Sequence, residues 1–304
     1  MKKIFKILYL IFIINNCFSN ENKKNDLYFC TAADAKYFDL LINLIGSIHK
    51  TNFENLKEIA VFDLGLTDNQ KDFLQKIEKT KVYQIELTHP DLLKQVRVNN
   101  DNKHVPGWYA WKFVVLKQAA EMFPYFFWVD AGIVILNPVD NIFDIIIDKG
   151  LFVGNLPHCN KYQTIQHLIK KFNINDPKNN WILEKHTVIS TFIGISKKVV
   201  NNLVLPLYEM TKDMKNFIDD GTSVNGFGSS RPEQAILSLW CYLYGFDSYE
   251  IAHSSPAPVK LNDKEVPIYI AIPWHVTHRT QIYLDAKSDK HYNEKYKEFI
   301  KLIE

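Results

Sequence analysis

Asp130 is the residue whose sequence context most strongly suggests chemistry. Residues 125–129 before it are all large and apolar, and Ala131 and Gly132 follow it. An apolar run of this kind predicts a strand buried on both faces, and the carboxylate marks the point where the strand leaves the sheet. In open α/β sheets ligands bind at the carboxyl ends of the strands, where an Asp can hold a divalent cation against a phosphate. The alternative is that Asp130 only begins a turn or caps the segment that follows.

Three further segments place reactive side chains near the ends of predicted elements. Asp63 ends a second apolar run and could contact a ribose or a base, or it could serve a turn. Lys112 opens a predicted helix, where the helix dipole disfavours a cation, so it could instead meet a substrate phosphate or lie in solvent. Glu233 and Gln234 follow Pro232 in the first turn of another helix. Glu233 could orient or deprotonate a sugar hydroxyl, or only complement the helix dipole.

His275 and His278 follow the last predicted strand and stand beside Arg279. Two imidazoles three residues apart could contact a metal ion or a diphosphate. The sequence has no G-x-S-x-G serine elbow, no Walker loop, no G-x-G-x-x-G after the first strand and no H-E-x-x-H pair. The ordinary hydrolase, ATPase and dehydrogenase classes therefore lack their characteristic residues.

The elements that must position these side chains alternate between strand and helix through the first 130 residues. Apolar runs predict strands over 27–31, 59–63, 82–85 and 126–130, with helices over 37–49, from Thr67 onward and over 108–123, and a long polar loop over 88–106. Later strands are predicted over 151–154, 188–195, 249–252 and 268–272, with helices over 199–210 and 232–244. This order predicts an α/β fold with a mixed, mostly parallel sheet flanked by helices.

The composition and the N-terminal segment limit the classes of protein to which this chain could belong. The chain has 304 residues, of which 47% are hydrophobic, and a formal net charge of +2. Three lysines precede an apolar run over 7–14 and a small residue at Ser19, the order of a signal peptide, with an uncleaved membrane anchor as the alternative. Removal of residues 1–19 would leave a net charge near zero, which does not suggest a nucleic-acid binder. We expect a single domain over 20–304, outside the cytosol.

The ordered set of motifs resembles the glycosyltransferases of the GT-A fold, near the family 8 type. The segments that carry the resemblance are residues 29–33, 109–112, 127–132, 190–195 and 232–237, with the late pair Trp274-His275. The resemblance implies a Rossmann-like GT-A fold and transfer of a sugar from a nucleotide-diphosphate sugar to a carbohydrate, glycoprotein or glycolipid acceptor.

The resemblance also implies roles for single residues. Asp130 would stand at the D-x-D motif that holds Mn²⁺ or Mg²⁺ on the diphosphate, with His275 or His278 as a late metal ligand. Glu233 and Gln234 would match the acidic-Gln pair near the donor sugar and the acceptor. The nucleotide sugar would contact a set of residues that includes the D-x-D segment: Thr31, Ala32, Asp63, Lys112, Asp130, Ala131 and Gly132.

Position 132 departs from the family motif, since it is Gly where the stricter motif has a second Asp. One carboxylate then replaces two. Besides an enzyme, the sequence therefore allows a non-catalytic GT-A-fold module that binds sugars or a partner, and a hydrolase of nucleotide sugars is a third hypothesis. The sequence does not name the sugar, the base, the acceptor or the stereochemical outcome.

Overall fold

A seven-stranded sheet forms the centre of the protein in a computed structural model, which describes residues 25–99, 102–135 and 137–250 and the backbone of 257–261 and 264–271. The strands are β1 (Leu27–Ala33), β2 (Leu56–Asp63), β3 (Thr80–Gln84), β4 (Gln95–Arg97), β5 (His104–Pro106), β6 (Tyr125–Val129), β7 (Val134–Ile135), β8 (Leu151–Cys159), β9 (His186–Ser196), β10 (Tyr249–Glu250), β11 (Ala257–Leu261) and β12 (Lys264–Ala271).

The strands of the central sheet follow the order β10-β8-β9-β6-β1-β2-β3. β1 pairs in parallel with β2 and β6, β2 with β3, and β10 with β8. β9 runs antiparallel between β6 and β8. The carboxyl ends of β1, β2, β3 and β6 therefore meet at one edge of the sheet, which we call the carboxyl edge. The fold is the mixed, mostly parallel α/β fold that the sequence predicts.

Helices cover both faces of the sheet. They are α1 (Phe38–Asn52), α2 (Asp68–Leu74), α3 (Trp111–Met122), α4 (Asp140–Lys149), α5 (Gln166–Lys171), α6 (Leu205–Met210) and α7 (Pro232–Leu243). Buried side chains of α1 and α4 pack on one face with Phe127, and those of α3, α6 and α7 pack on the other with Trp128. Because neighbouring residues of a strand point to opposite faces, an unbroken aromatic run fills both cores at once.

Most predicted elements are present. The Thr67–Gln70 capping box forms in both directions and starts α2. Asp34 caps the 3-10 turn before α1, since it accepts hydrogen bonds from the backbone N–H groups of Lys36 and Tyr37. Within the described ranges no helix combines the length and the apolar character that crossing a bilayer requires. Residues 1–19 lie outside the described residues, as do 251–252 and 272 of the predicted strands.

Three predicted boundaries were wrong. The polar stretch 88–106 contains the β4–β5 hairpin rather than only a loop. The predicted helix over 108–123 begins at Trp111, because Trp108 and Tyr109 have φ of 53° and 65° and therefore cannot continue a right-handed helix. The predicted helix over 199–210 is α-helical only from Leu205, after a 3-10 turn and a π turn.

Candidate active site

Asp130 lies at the carboxyl edge, one residue beyond the end of β6. Its backbone N–H donates to the carbonyl of Thr191 on β9 at 2.8 Å, which fixes the chain as it leaves the sheet. The indole N–H of the fully buried Trp128 donates to Asp130 Oδ1 at 3.0 Å. The carboxylate is 35% exposed, so it is anchored from inside the protein and open to solvent on its other side.

Lys112 pairs with Asp130 from the first turn of α3. Its Nζ lies 2.9 Å from Asp130 Oδ1 and 3.3 Å from Oδ2. It also donates to the carbonyl of Ser190 at 3.1 Å and is 3.4 Å from the Ser190 hydroxyl. With the residue only 2% exposed, the alternative of a solvated lysine is wrong. A buried ammonium needs such partners because removing it from water is costly.

Glu233 reaches the same place from the first turn of α7. Its Oε1 accepts a hydrogen bond from the Ser190 hydroxyl at 3.2 Å, whereas Oε2 has no partner among the described residues although it is buried. Burial raises the pKa of the Glu233 carboxyl, the positive charges of Lys112 and Arg231 act against that rise, and Asp130 adds to it. The result is a buried acid with one oxygen that no described group satisfies.

Gln234 lies beside Glu233 but makes different contacts. Its Oε1 is 3.4 Å from the backbone N–H of Ser190, and its Nε2 donates to Gln163 Oε1 at 2.7 Å. Both polar atoms of the amide thus hold protein groups. Ser190 links the whole group, since it contacts Lys112, Glu233 and Gln234. We call Lys112, Asp130, Ser190, Glu233 and Gln234 the edge cluster.

A left-handed turn over Gly107–Tyr109 positions α3 and with it Lys112. Gly107, Trp108 and Tyr109 all have positive φ, and a Cβ on Gly107 would lie 1.8 Å from the carbonyl oxygen of Leu92. The turn presents the Tyr109 side chain to the edge cluster. Burial, and then the proximity of Tyr37, Glu233 and Asp130, raises the pKa of the Tyr109 phenol, so this hydroxyl stays protonated.

The other residues predicted for the nucleotide sugar also lie at the ends of β1, β2 and β6. Thr31 and Ala32 are buried in β1, and the Thr31 hydroxyl has no partner among the described residues. Ala131 is buried and Gly132 partly exposed in the turn after Asp130.

Asp63, the remaining member of that set, holds a turn. Its Oδ1 accepts from the backbone N–H groups of Gly65 and Leu66 at 2.8 and 2.7 Å, and its Oδ2 accepts from Gln84 at 3.0 Å. These contacts match the alternative role given to this residue. Contact of Thr31, Ala32, Asp63, Ala131 and Gly132 with a nucleotide sugar stays a prediction.

The donor set of the edge cluster does not fit Mn²⁺ or Mg²⁺. Such ions take oxygen ligands, and Mg²⁺ is usually held by one or two carboxylates together with substrate phosphates, so the carboxylate must have an oxygen free for the ion. Here Asp130 is already neutralised by the Lys112 ammonium, and position 132 offers no side chain. Across the described ranges no group of three His, Cys, Asp or Glu side chains could hold a metal ion. His275 and His278 lie outside the described residues.

Three residues of the site were missed by sequence analysis. Ser190 belongs to a segment quoted for the resemblance but was given no role, and neither Gln163 nor Arg231 was given one. Two adjacent hydroxyl residues, Ser190 and Thr191, inside an otherwise apolar strand were the available signal. Arg231 is partly buried, and its guanidinium makes no hydrogen bond or ion pair with another described residue, although its charge acts on Glu233 and Tyr109.

Comparison with known proteins found proteins of similar structure but no match by sequence. No protein-family model matches the chain, and no curated protein matches it. Core-mannan synthase A from Aspergillus fumigatus, solved in an Mn/GDP form, matches with a TM-score of 0.53 and 11% identity over 86% of this chain and 85% of that one.

Two further similar structures have lower TM-scores. The galactosyltransferase LgtC, solved with donor and acceptor sugar analogues, scores 0.48 at 11% identity over 88% of this chain and 100% of its own. The bifunctional glycosyltransferase WbbM scores 0.45 at 12% identity over 73% of this chain, which spans 38% of WbbM. The inference about fold depends on core-mannan synthase A. With its mixed α/β sheet and this similarity, the chain has the GT-A fold found in glycosyltransferases.

Proposed function

We propose that this protein is a glycosyltransferase that moves a sugar from a nucleotide-diphosphate sugar to a hydroxyl group of a carbohydrate, glycoprotein or glycolipid. The fold is consistent with this reaction, but a fold alone hosts several functions. The proposal therefore depends on the edge cluster, where four elements bring Lys112, Asp130, Ser190 and Glu233 into one hydrogen-bonded group.

The observation that carries the proposal is the unpartnered oxygen of Glu233. A buried polar atom without a hydrogen bond is rare in proteins, and a ligand is one explanation of it. The indole N–H of Trp111, which neighbours Lys112 in the chain, is also buried without a partner among the described residues. An unsatisfied acceptor and an unsatisfied donor of hydrogen bonds therefore lie in the first turns of α7 and α3, beside the carboxyl edge where α/β folds bind their ligands.

In this reaction the residues of the edge cluster have different roles. Transfer forms a bond between the acceptor oxygen and the anomeric carbon and breaks the bond from that carbon to the diphosphate. Glu233 Oε2 accepts a hydrogen bond from a sugar hydroxyl and orients it. Its raised pKa makes it a stronger base than an exposed glutamate, which favours proton transfer from the hydroxyl. Asp130 Oδ2 faces the donor, while Lys112 keeps Asp130 in place.

A second candidate function is a non-catalytic module that binds sugars or a partner. Two observations favour it: Gly132 replaces the second carboxylate of the motif, and Asp130 is occupied by Lys112. The two functions differ in a measurable product. An enzyme releases nucleoside diphosphate in the presence of an acceptor, and a binding module does not.

The first test is a melting-temperature screen of the purified protein with nucleoside diphosphates and nucleotide sugars, followed by product analysis with the ligand that binds. A ligand that binds only the folded state raises Tm by mass action. A shift together with acceptor-dependent release of nucleoside diphosphate supports the proposal. A shift without release supports the binding module. Release of free sugar without any transfer product would indicate a hydrolase.

We also propose that the protein works outside the cytosol, directed there by residues 1–19 as a signal peptide or as a membrane anchor. The basic, apolar and small-residue order of that segment supports the proposal. N-terminal sequencing of the protein recovered from its host distinguishes the two forms. A cleaved signal gives a chain beginning near residue 20, and an anchor gives the full chain in the membrane fraction.

A further inference from the structure

The ion pair between Lys112 and Asp130 involves the carboxylate to which the resemblance assigns the metal ion. Both carboxylate oxygens lie within 3.3 Å of the same ammonium, and Oδ1 also accepts the Trp128 indole N–H. A divalent cation on Asp130 would have to displace this ammonium or lie beside it. Like charges so close repel each other, and the Lys112 ammonium is itself shielded from water.

Lys112 cannot leave this position without losing other contacts. Its ammonium also bonds to the carbonyl of Ser190, and the residue is 2% exposed. Moving the ammonium away from Asp130 would leave a buried positive charge without its counterion, which is among the more costly changes in a protein interior. The pair is thus a fixed part of the fold rather than a vacant carboxylate.

Arg231 supplies a second positive charge near Glu233. It precedes α7 directly, beside Glu233, and its guanidinium makes no hydrogen bond or ion pair with the rest of the described chain. A guanidinium stays ionised in proteins, and its planar set of donors matches phosphate oxygens in a bidentate way. The Lys112–Asp130 pair is neutral as a unit, so among the described residues near Glu233 the cation that can meet a phosphate is Arg231.

We propose that Arg231 binds the diphosphate of the donor and that nucleotide binding by this protein needs no divalent cation. The inference deepens the proposed function and depends on it. Arg231 takes the electrostatic role that a metal has elsewhere: it balances charge on the diphosphate, and balances more when the sugar bond breaks and the leaving group becomes more negative. Lys112 acts only through Asp130, as a positioning residue.

The test is calorimetric titration of the full protein with UDP, GDP, CDP and ADP, once with EDTA and once with Mn²⁺. We expect one nucleotide to bind with the same Kd, within about threefold, in both conditions. Arg231→Gln should raise that Kd by about 10- to 100-fold, the loss expected for a charged hydrogen bond. Arg231→Lys should restore part of the affinity. Lys178→Gln, which removes one positive charge from an exposed turn, should leave Kd unchanged.

The outcomes separate this inference from the proposed function. Binding that requires Mn²⁺ and disappears in EDTA would overturn the inference and still support a nucleotide-sugar enzyme. Equal Kd for Arg231→Gln and the unchanged protein would overturn the role of Arg231. Absence of nucleotide binding in both conditions, in a sample with a cooperative melting transition, would overturn the proposed function and the inference together. Because Arg231 is partly exposed, its variants test binding without disturbing the Lys112–Asp130 ion pair.

Discussion

Among single residues, Glu233 shows most clearly how the surrounding protein changes the properties of a side chain. Its position in the first turn of α7 would suit the helix dipole on any surface helix. Here the carboxyl is buried instead, one oxygen is held by Ser190, and the other has no partner in the described part of the chain. A surface residue that only complemented a dipole would be solvated at both oxygens.

Glu233→Gln should lower the transfer rate by about 100-fold or more while donor affinity stays within about threefold. The amide keeps the shape and can keep the contact with Ser190, but it cannot accept a proton, and general-base groups contribute about 10²- to 10⁴-fold. Steady-state kinetics together with calorimetric titration of the donor measure both quantities. Glu184→Gln, an exposed glutamate paired with Lys161, is the control. A large loss of donor affinity in Glu233→Gln would instead assign Glu233 to the donor-binding site.

At the scale of elements, the left-handed turn before α3 is the least ordinary feature of the fold. Three successive residues with positive φ reverse the local handedness, so that α3 starts with Lys112 pointing into the sheet edge. Only glycine fits the first of them, since its Cα approaches the Leu92 carbonyl too closely for any side chain.

Gly107→Ala should lower the free energy of unfolding by about 4 kcal/mol, near the upper range for single substitutions, because the added carbon meets the Leu92 backbone. Nucleotide affinity should fall as well, since the turn sets the start of α3. Gly226→Ala is the matched control: it also has positive φ but open space around it, so we expect a loss of only about 1 to 2 kcal/mol. Urea denaturation of both variants gives the comparison. Equal losses would mean that Leu92 moves aside.

For the whole molecule, two buried titratable residues give folding a pH dependence of opposite signs. Burial in α1 lowers the pKa of His49 to about 4, and the charge of Lys79 adds to the effect. Folding then favours the neutral imidazole, so the stability it contributes is full above the unfolded pKa near 6.5 and is lost as pH falls toward 4. The raised pKa of Glu233 works the other way, since its stabilising contribution is largest at low pH and is lost as pH rises.

We expect the free energy of unfolding to fall by about 3 kcal/mol through His49 between pH 6.5 and pH 4. His49→Gln should flatten the pH dependence in that window. Glu233→Gln should make it steeper, since that variant lacks the group that gains stability on acidification. Urea denaturation at several pH values measures the slopes. An unchanged slope in His49→Gln would show that the imidazole stays accessible to protons in the folded state.

The sequence alone was enough to predict the class of fold and the edge of the sheet that matters. Hydrophobic periodicity located β1, β2 and β6 within a few residues, because strands buried on both faces must be apolar along their whole length. The same pattern placed Asp130 at a strand end, since a buried strand does not tolerate an unpaired carboxylate. Lys112 and Glu233 stood out because a cation at a helix start and an acid after Pro232 are local features.

Only the tertiary structure decided what these residues do to one another. Asp130, Ser190 and Glu233 are separated by 60 and 43 positions in the chain, and no local pattern reports that a lysine and a serine hydroxyl join them. The left-handed turn and the role of Ser190 both depend on tertiary packing. The turn packs against the Leu92 backbone, and β9 carries Ser190 to the edge cluster. For the same reason the sequence suggested a metal site at Asp130, while the folded protein brings its own ammonium to that carboxylate.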